Sequence, residues 1–230
     1  MLTNQFKINY SVGSIANGIK TDTFTFFLLF FYSNIIGLNP GLAGTAIFIA
    51  LCVDAFTDPL MGTISDRTNT SFGRRHPYMF ISFIPMSLGY IFLFAPRQDW
   101  DMSQSDLFVW MTIFTILTRI GMTLFDIPHR AFGGEITKNY NERTLLMSWR
   151  EMFAWVAGLS NAFLGYGVFF ASTPEFPQGQ LNPDAWFPFA LTGALIMIIS
   201  VLYSSFSTKN EINSLSKWSG SISLGAILKE

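Results

Sequence analysis

The amino-acid sequence predicts an all-α membrane protein with six transmembrane helices. Of its 230 residues, 50% are hydrophobic and only 13% are charged, whereas soluble domains carry about 25% charged residues. A helix needs about 20 mainly apolar residues to cross a hydrocarbon core of about 30 Å. The segments that meet this requirement are residues 10–36, 42–65, 77–96, 106–130, 147–171 and 186–207.

Each predicted helix ends at a segment rich in Gly, Pro, Asn, Ser or charged residues, which is typical of turns and loops. In chain order these segments read "GLNPG", "SDRTNTSFGRRHP", "PRQDWDMSQSD", "GGEITKNYNER" and "STPEFPQGQLNPD". The N-terminus has no compact apolar segment followed by a small-residue cleavage site. We therefore expect the first helix itself to act as the membrane insertion signal.

The distribution of Lys and Arg predicts the orientation, because these residues accumulate in cytoplasmic loops. With the N-terminus inside, the outer loops hold only Arg97, and both termini are cytoplasmic, as expected in an inner or plasma membrane. The cytoplasmic segments then hold Lys7, Arg67, Arg74, Arg75, Arg130, Lys138, Arg143, Lys209, Lys217 and Lys229. The formal net charge of −1 gives no reason to expect nucleic acid as a partner.

Several charged residues lie deep within the predicted spans, where a charge costs at least about 2.5 kcal/mol on insertion scales. Such residues usually face one another or a polar cavity, so the sequence predicts a polar pathway through the bundle. The residues concerned are Lys20, Asp22, Asp54, Asp58, Arg119, Asp126 and Arg150.

Asp54 and Asp58 are four residues apart, so one helical face holds both carboxylates. Two ionised carboxylates that close repel each other, so either one binds a proton or a cation lies between them. Hard cations such as Na+ prefer oxygen ligands. Thr57 offers a hydroxyl, and Pro59 frees the backbone carbonyl of Ala55. The alternative is that both aspartates form structural ion pairs with arginines of other helices, namely Arg119 or Arg150.

The fourth and fifth predicted helices supply a second candidate site. Asp126 precedes Pro128 in "TLFDIPHR", and Arg150 lies between Trp149 and Trp155 in "SWREMFAW". Carboxylate and guanidinium groups can form two parallel hydrogen bonds with a pair of hydroxyls, so a cavity lined by them suits a polyhydroxy solute. The alternative is a buried Asp126–Arg150 ion pair with the aromatic residues facing lipid. The two interpretations are compatible.

The segment "GTISDRTNTSFGRR" at 62–75 resembles the motif between helices two and three of the major facilitator superfamily. The longer pattern "DxxxDPxxGxxxDR" is similar to that of the glycoside-pentoside-hexuronide:cation symporters. Further matches are "LFFYSNIIGL", "DIPHRAFGGEIT", "NERT" and "WRE", so the resemblance covers almost the whole chain.

In that family two carboxylates of helix two and a threonine of helix four bind the coupling cation. The resemblance therefore assigns a cation site to Asp54, Asp58 and Thr123. It likewise implies that Asp126 and Arg150 bind sugar. The sequence departs from the family at two positions. Gly18 stands where the family has a sugar-binding aspartate of helix one, and Asp22 with Asn17 nearby could replace that aspartate. Arg130 stands where the family has an aromatic residue.

The loop between helices two and three forms a cytoplasmic gate in the superfamily, where its charges pair with acids at neighbouring helix ends. The resemblance implies this role for Asp66, Arg67, Arg74 and Arg75, with Asp66 and Arg67 favoured. From charge alone, the arginines could equally serve only to orient the protein.

Members of the superfamily have twelve helices in two six-helix halves, each built from two inverted three-helix repeats. We therefore expect residues 1–207 to form one such half, and 208–230 to begin the cytoplasmic middle loop. The chain is then an N-terminal portion that requires a C-terminal six-helix half or a second copy of itself.

The implied function is secondary active transport, in which a sugar or glycoside moves together with Na+ or H+ by alternating access. A carrier of lysolipids within the same superfamily is an alternative, and a non-transporting membrane scaffold or remnant is another. An enzyme is not expected, because the sequence has no nucleophile–base arrangement and no metal-ligand cluster. No cofactor is expected beyond the coupling ion.

Overall fold

The computed structural model describes residues 2–70 and 72–209, and all regular secondary structure within them is helical. Five helical segments are long and apolar enough to cross a membrane. They span Pro40–Arg67, His76–Leu93, Gln104–Glu135, Tyr140–Phe169 and Pro183–Ser207. The predicted beginning of a middle loop at 208–230 lies outside the described residues from 210 onward.

The first predicted span is also helical, but it is interrupted. It comprises α1 (Asn4–Ser11), α2 (Ser14–Asp22), a π-helical segment (Thr23–Phe27), α3 (Leu28–Phe30) and a second π-helical segment (Phe31–Ile36). It ends at Gly37, whose φ of 84° is a conformation that favours glycine. Its polar residues, which include Lys20 and Asp22, explain why it is not among the five most apolar segments.

The second span is the single helix α4 (Pro40–Arg67), capped by the side chain of Asn39 and continuous through Pro59. The third consists of α5 (His76–Ile81) and α6 (Phe83–Leu93), separated only at Ser82. Both agree with the predicted positions within a few residues.

The fourth span, α7 (Gln104–Glu135), begins at a capping box in which Ser103 and Asp106 satisfy each other's backbone N–H groups. The fifth, α8 (Tyr140–Leu164), continues as a π-helical segment to Phe169. The sixth, α9 (Trp186–Ser207), coincides with the predicted range. Both α7 and α8 are longer than predicted at the ends that residues 136–139 join, because polar residues there continue the helix beyond the apolar segment.

The packing of these spans has an internal symmetry. The first span packs against the fifth and sixth, the fourth against the second and third, and the third against the sixth. Exchanging the first three spans with the last three converts this set of pairs into itself. Two three-helix repeats related by a two-fold axis have this property, so the packing agrees with the pair of repeats that the resemblance implies.

Aromatic residues close the end of the bundle that lies opposite the loop between the second and third spans. Trp186 is fully buried there, and its ring centroid lies 4.5 Å from that of Phe170 and 5.2 Å from that of Phe31. This cluster joins the first, fifth and sixth spans. By contrast, α4 and α8 expose large apolar residues along one face, including Phe48, Phe56, Trp155, Leu159 and Phe163.

Candidate functional site

The predicted cation ligands lie on two neighbouring helices, α4 and α7, which contact each other at Asp54 and Asp58. Asp54 Oδ2 accepts a hydrogen bond from Arg119 Nη1 in an ion pair. One turn further along, Asp58 Oδ1 accepts a hydrogen bond of 2.6 Å from the hydroxyl of Thr123. Both contacts join residues 65 positions apart, so the two helices run parallel here and their side chains meet in successive rungs.

The residues that flank this pair contribute less directly. The hydroxyl of Thr57 lies 3.5 Å from the backbone carbonyl of Asp54, and does not point to the two carboxylates. Asp54 Oδ1 is buried and has no hydrogen-bond partner among the described residues. A buried carboxylate oxygen without a donor suits a cation ligand, so the donor set of Asp54, Asp58 and Thr123 fits a small monovalent cation.

Asp126 and Arg150, which are predicted to bind solute, form the buried ion pair that the sequence analysis gave as the alternative. Arg150 is almost fully buried, and its guanidinium contacts both Asp126 Oδ1 and Glu151 Oε1. The second oxygen of Asp126 lies 2.7 Å from Arg130 Nε. Arg150 Nε has no partner among the described residues, so the cluster retains a donor for a further ligand.

Asp22 belongs to a different cluster, between the first, third and fifth spans. Its Oδ2 accepts a hydrogen bond of 2.8 Å from Asn161, whose amide also lies 3.2 Å from the hydroxyl of Thr23. Thr23 in turn lies 2.7 Å from the hydroxyl of Tyr90. Asn17, one turn and a half before Asp22, is only partly buried. The predicted sugar-binding residues of the first span are thus positioned by α8 as well as by their own helix.

Packing explains the departure at position 18. A Cβ atom on Gly18 would lie 2.0 Å from the backbone oxygen of Ala154, so α2 and α8 are too close for any side chain there. An aspartate at this position would require a larger separation of the two helices.

Lys20 is a residue of the site that the sequence analysis placed at depth but did not assign. Its ammonium group lies within electrostatic range of Asp54, Asp58, Asp126 and Arg119. In the sequence, the position of this charge within a predicted span was the one indication of a role for Lys20. Asn161 was missed entirely, because a single amide in an apolar helix carries no charge to mark it.

The aromatic residues beside Arg150 point in different directions. Trp155 is 72% exposed, as expected of a side chain that faces lipid or another helix. Trp149 is partly buried and stacks on Phe153 at 6.3 Å between ring centroids. Trp149 is therefore the more enclosed of the two tryptophans.

Charged residues at the C-terminal ends of α4 and α7 and at the start of α5 form an ion-pair network. Arg75, only 5% exposed, lies 2.9 Å from Asp66 and 2.7 Å from Glu135. Arg74 lies 3.0 Å from the other oxygen of Glu135. Within the part of the chain that the structure describes, Arg67 has no ion-pair partner. The network thus uses Glu135, which the sequence analysis had not singled out, although it follows "GG" at the end of the predicted helix.

The α4–α7 contacts and the buried acid–arginine cluster lie within a bundle of long apolar helices, as in integral membrane proteins. The family model described as "MFS/sugar transport protein" matches residues 9–221, and the chain belongs to this family. The match confirms the resemblance on which the expected fold was based.

Several of the similar proteins are named as symporters. The chain is 32% identical over 198 residues, or 85% of its length, to an uncharacterized symporter of Synechocystis sp.. It is 33% identical over 159 residues, or 69% of its length, to the putative glycoside/cation symporter YagG of Escherichia coli. It is 31% identical over 179 residues, or 75% of its length, to the sodium-dependent lysophosphatidylcholine symporter 1-A of Danio rerio.

The chain spans only about a third of each relative's own length, namely 35%, 34% and 32%. Among the described residues there is no group of three or more His, Cys, Asp or Glu side chains that could hold a metal ion. The candidate cation site has two carboxylates and a hydroxyl, a donor set that suits a weakly held coupling ion.

Proposed function

We propose that this chain forms one half of a secondary transporter that couples the movement of a sugar or glycoside to that of Na+ or H+. The cation binds at Asp54 and Asp58 with Thr123, and the solute binds at Asp126 and Arg150. The observation that carries the proposal is the position of both sites on α7, where Thr123 and Asp126 are three residues apart and hence neighbours on one face.

This proximity gives coupling a physical basis. A cation held by Asp58 and Thr123 fixes the α4–α7 contact one turn from the Asp126–Arg150 cluster. Any change in the packing of α7 against α4 therefore alters the geometry of the solute site. Because coupling between two sites is reciprocal, bound solute in turn raises the affinity for the cation.

The exposed apolar faces of α4 and α8 support the proposal of a partner half. Single exposed apolar residues are common, but large contiguous patches mark either lipid contact or a protein interface. We propose that a C-terminal six-helix half, or a second copy of this chain, packs on these faces and completes the solute cavity.

The charge distribution supports an orientation with both termini in the cytoplasm of an inner or plasma membrane. Site-directed labelling tests it on a Cys52→Ser background, with single cysteines at Thr70 and Asp99. An impermeant maleimide is expected to label the Asp99 position from outside intact cells and the Thr70 position only after permeabilisation. The reverse result would invert the orientation.

A lysolipid carrier is the second candidate, because the chain is similar to a lysophosphatidylcholine symporter over three quarters of its length. The buried charges of Asp126 and Arg150 favour a hydroxyl-rich solute. Lysophosphatidylcholine also carries both a cation and an anion, so it belongs in the same experiment.

The test is uptake by proteoliposomes that contain the full-length protein. A panel of glycosides and lysophosphatidylcholine is offered with an inward Na+ gradient, an inward proton gradient or neither. The proposal predicts gradient-driven uptake of a glycoside, lost in Asp58→Asn and retained in the matched control Asp99→Asn, an exposed loop carboxylate. Uptake of lysophosphatidylcholine alone would support the second candidate, and uptake indifferent to both gradients would contradict symport.

A further inference from the structure

Arg119 occupies the position beside the proposed cation ligands that a free cation would be expected to take. It lies on α7 four residues before Thr123, so both side chains project from one face towards α4. Its Nη1 contacts Asp54, and the two side chains are only 12% and 22% exposed. Its guanidinium carbon also lies 5.5 Å from the centre of the Phe24 ring, which fixes it from the side of the first span.

The hydrogen-bonding state of this pair is incomplete. Asp54 Oδ1 and Arg119 Nε are both buried and lack partners within the described residues. A stable structural ion pair normally satisfies its remaining donors and acceptors. The pair therefore has unused bonding capacity on both members, as expected of a contact that is exchanged during function.

The charges nearby indicate competition. A cation shared by Asp54 and Asp58 needs oxygens of both carboxylates, but the guanidinium already takes one oxygen of Asp54. It also places a positive charge next to the site, and like charges repel strongly where water is scarce. Lys20 adds a second positive charge within electrostatic range. Among the described residues Asp58 bonds only to the neutral Thr123, so its second oxygen remains available to a cation.

We infer that Arg119 is a tethered internal cation that competes with the coupling cation for Asp54. The guanidinium holds Oδ2 of Asp54 and leaves Oδ1 free, so its positive charge opposes cation binding, and Arg119 sets the affinity of the site. This inference rests on the proposed cation site at Asp54 and Asp58. It adds a residue that determines how tightly, and in which arrangement of α4 and α7, the cation is held.

The test measures Na+ binding by isothermal titration calorimetry to the full-length protein in lipid nanodiscs, with choline replacing sodium in the reference buffer. The Arg119→Gln variant removes the tethered charge and keeps a polar side chain. We expect it to lower the Kd for Na+ by about tenfold, within the roughly 5- to 150-fold range typical of coupling between sites. The control Arg97→Gln, which removes an exposed outer-loop arginine, is expected to leave the Kd unchanged.

One further variant and one further measurement complete the test. Arg119→Lys keeps the positive charge and is expected to retain the weak binding of the unmodified protein. If Arg119→Gln is too unstable for calorimetry, sodium should raise its thermal unfolding temperature more than it raises that of the unmodified protein, because binding stabilises the folded state. An equal or smaller increase overturns the inference.

Asp58→Asn separates this inference from the proposed function. Unchanged or weaker Na+ binding in Arg119→Gln, together with its loss in Asp58→Asn, overturns the role of Arg119 and leaves the cation site standing. Na+ binding that persists in Asp58→Asn contradicts the cation site itself, and the inference falls with it. Absence of Na+ binding from Arg119→Gln also overturns the inference, since removal of the competitor must expose the site.

Discussion

At the scale of single residues, Arg150 combines a permanent positive charge with almost complete burial. Its guanidinium contacts Asp126 and Glu151, and only 1% of the residue is exposed. Removing one partner of such a pair costs about 3–5 kcal/mol because the other charge remains buried. Arg150 therefore holds the proposed solute site in shape and also offers its unpaired Nε to a ligand.

Replacing Arg150 by lysine tests this double role. Lysine keeps the charge but cannot form the planar, two-pronged contact of a guanidinium. We expect Arg150→Lys to raise the solute Kd by about tenfold or more, equivalent to about 1.4 kcal/mol, as measured by equilibrium binding. Arg143→Lys, an exposed residue of the same helix, is the control. Equal solute affinity in the two variants would exclude Arg150 from the site.

At the scale of helices, the sequence predicted the spans better than the contacts between them. Length and apolar composition located α4 and α9 closely, because a hydrocarbon core imposes both requirements on any helix that crosses it. The spacing of Asp54 and Asp58 likewise predicted a shared face. The pairing of Asp54 with Arg119 could only be posed as an alternative, since the choice between Arg119 and Arg150 depends on which helices are neighbours.

Close packing between helices could not be predicted position by position. Gly18 looked like a lost aspartate in the sequence, whereas its role in the structure is to let α2 approach α8. Small residues commonly allow such approaches in membrane proteins. Asn161 and Glu135 were overlooked for the related reason that their partners lie on other spans.

The close approach at Gly18 yields a stability prediction. Gly18→Ala places a methyl group 2.0 Å from the Ala154 oxygen and must separate the helices, at a cost of about 1–3 kcal/mol or more. We expect a clear fall in the thermal unfolding temperature of the detergent-solubilised protein. Gly44→Ala is the matched control, because nothing lies within 4 Å of its added Cβ. A fall of equal size in both variants would refute the packing argument.

The ion-pair network of Asp66, Arg74, Arg75 and Glu135 gives a second stability prediction. Glu135 bonds to both Arg74 and Arg75 and is 34% exposed, whereas Asp66 bonds to Arg75 alone and is 57% exposed. We expect Glu135→Gln to lower the thermal unfolding temperature more than Asp66→Asn does, since more exposed ion pairs are weaker. The opposite order would show that Asp66 holds the network together.

At the scale of the whole molecule, the two proposed binding sites belong to one connected bundle. The second, fourth and fifth spans supply Asp54, Asp58, Thr123, Asp126 and Arg150, and the third and sixth pack behind them. In the proposed mechanism, a change at one site reaches the other through α7, which carries residues of both. Symport requires that cation binding and solute binding affect each other. A measurement at one site alone does not test this.

The most direct test is the affinity of the full-length protein for the glycoside identified by uptake, measured with and without Na+ at acid, neutral and alkaline pH. The proposed mechanism predicts that the coupling cation lowers the solute Kd by roughly 5- to 150-fold, that the solute lowers the cation Kd by the same factor, and that Asp58→Asn abolishes both effects. Solute affinity that stays the same in sodium and in choline at every pH would contradict it.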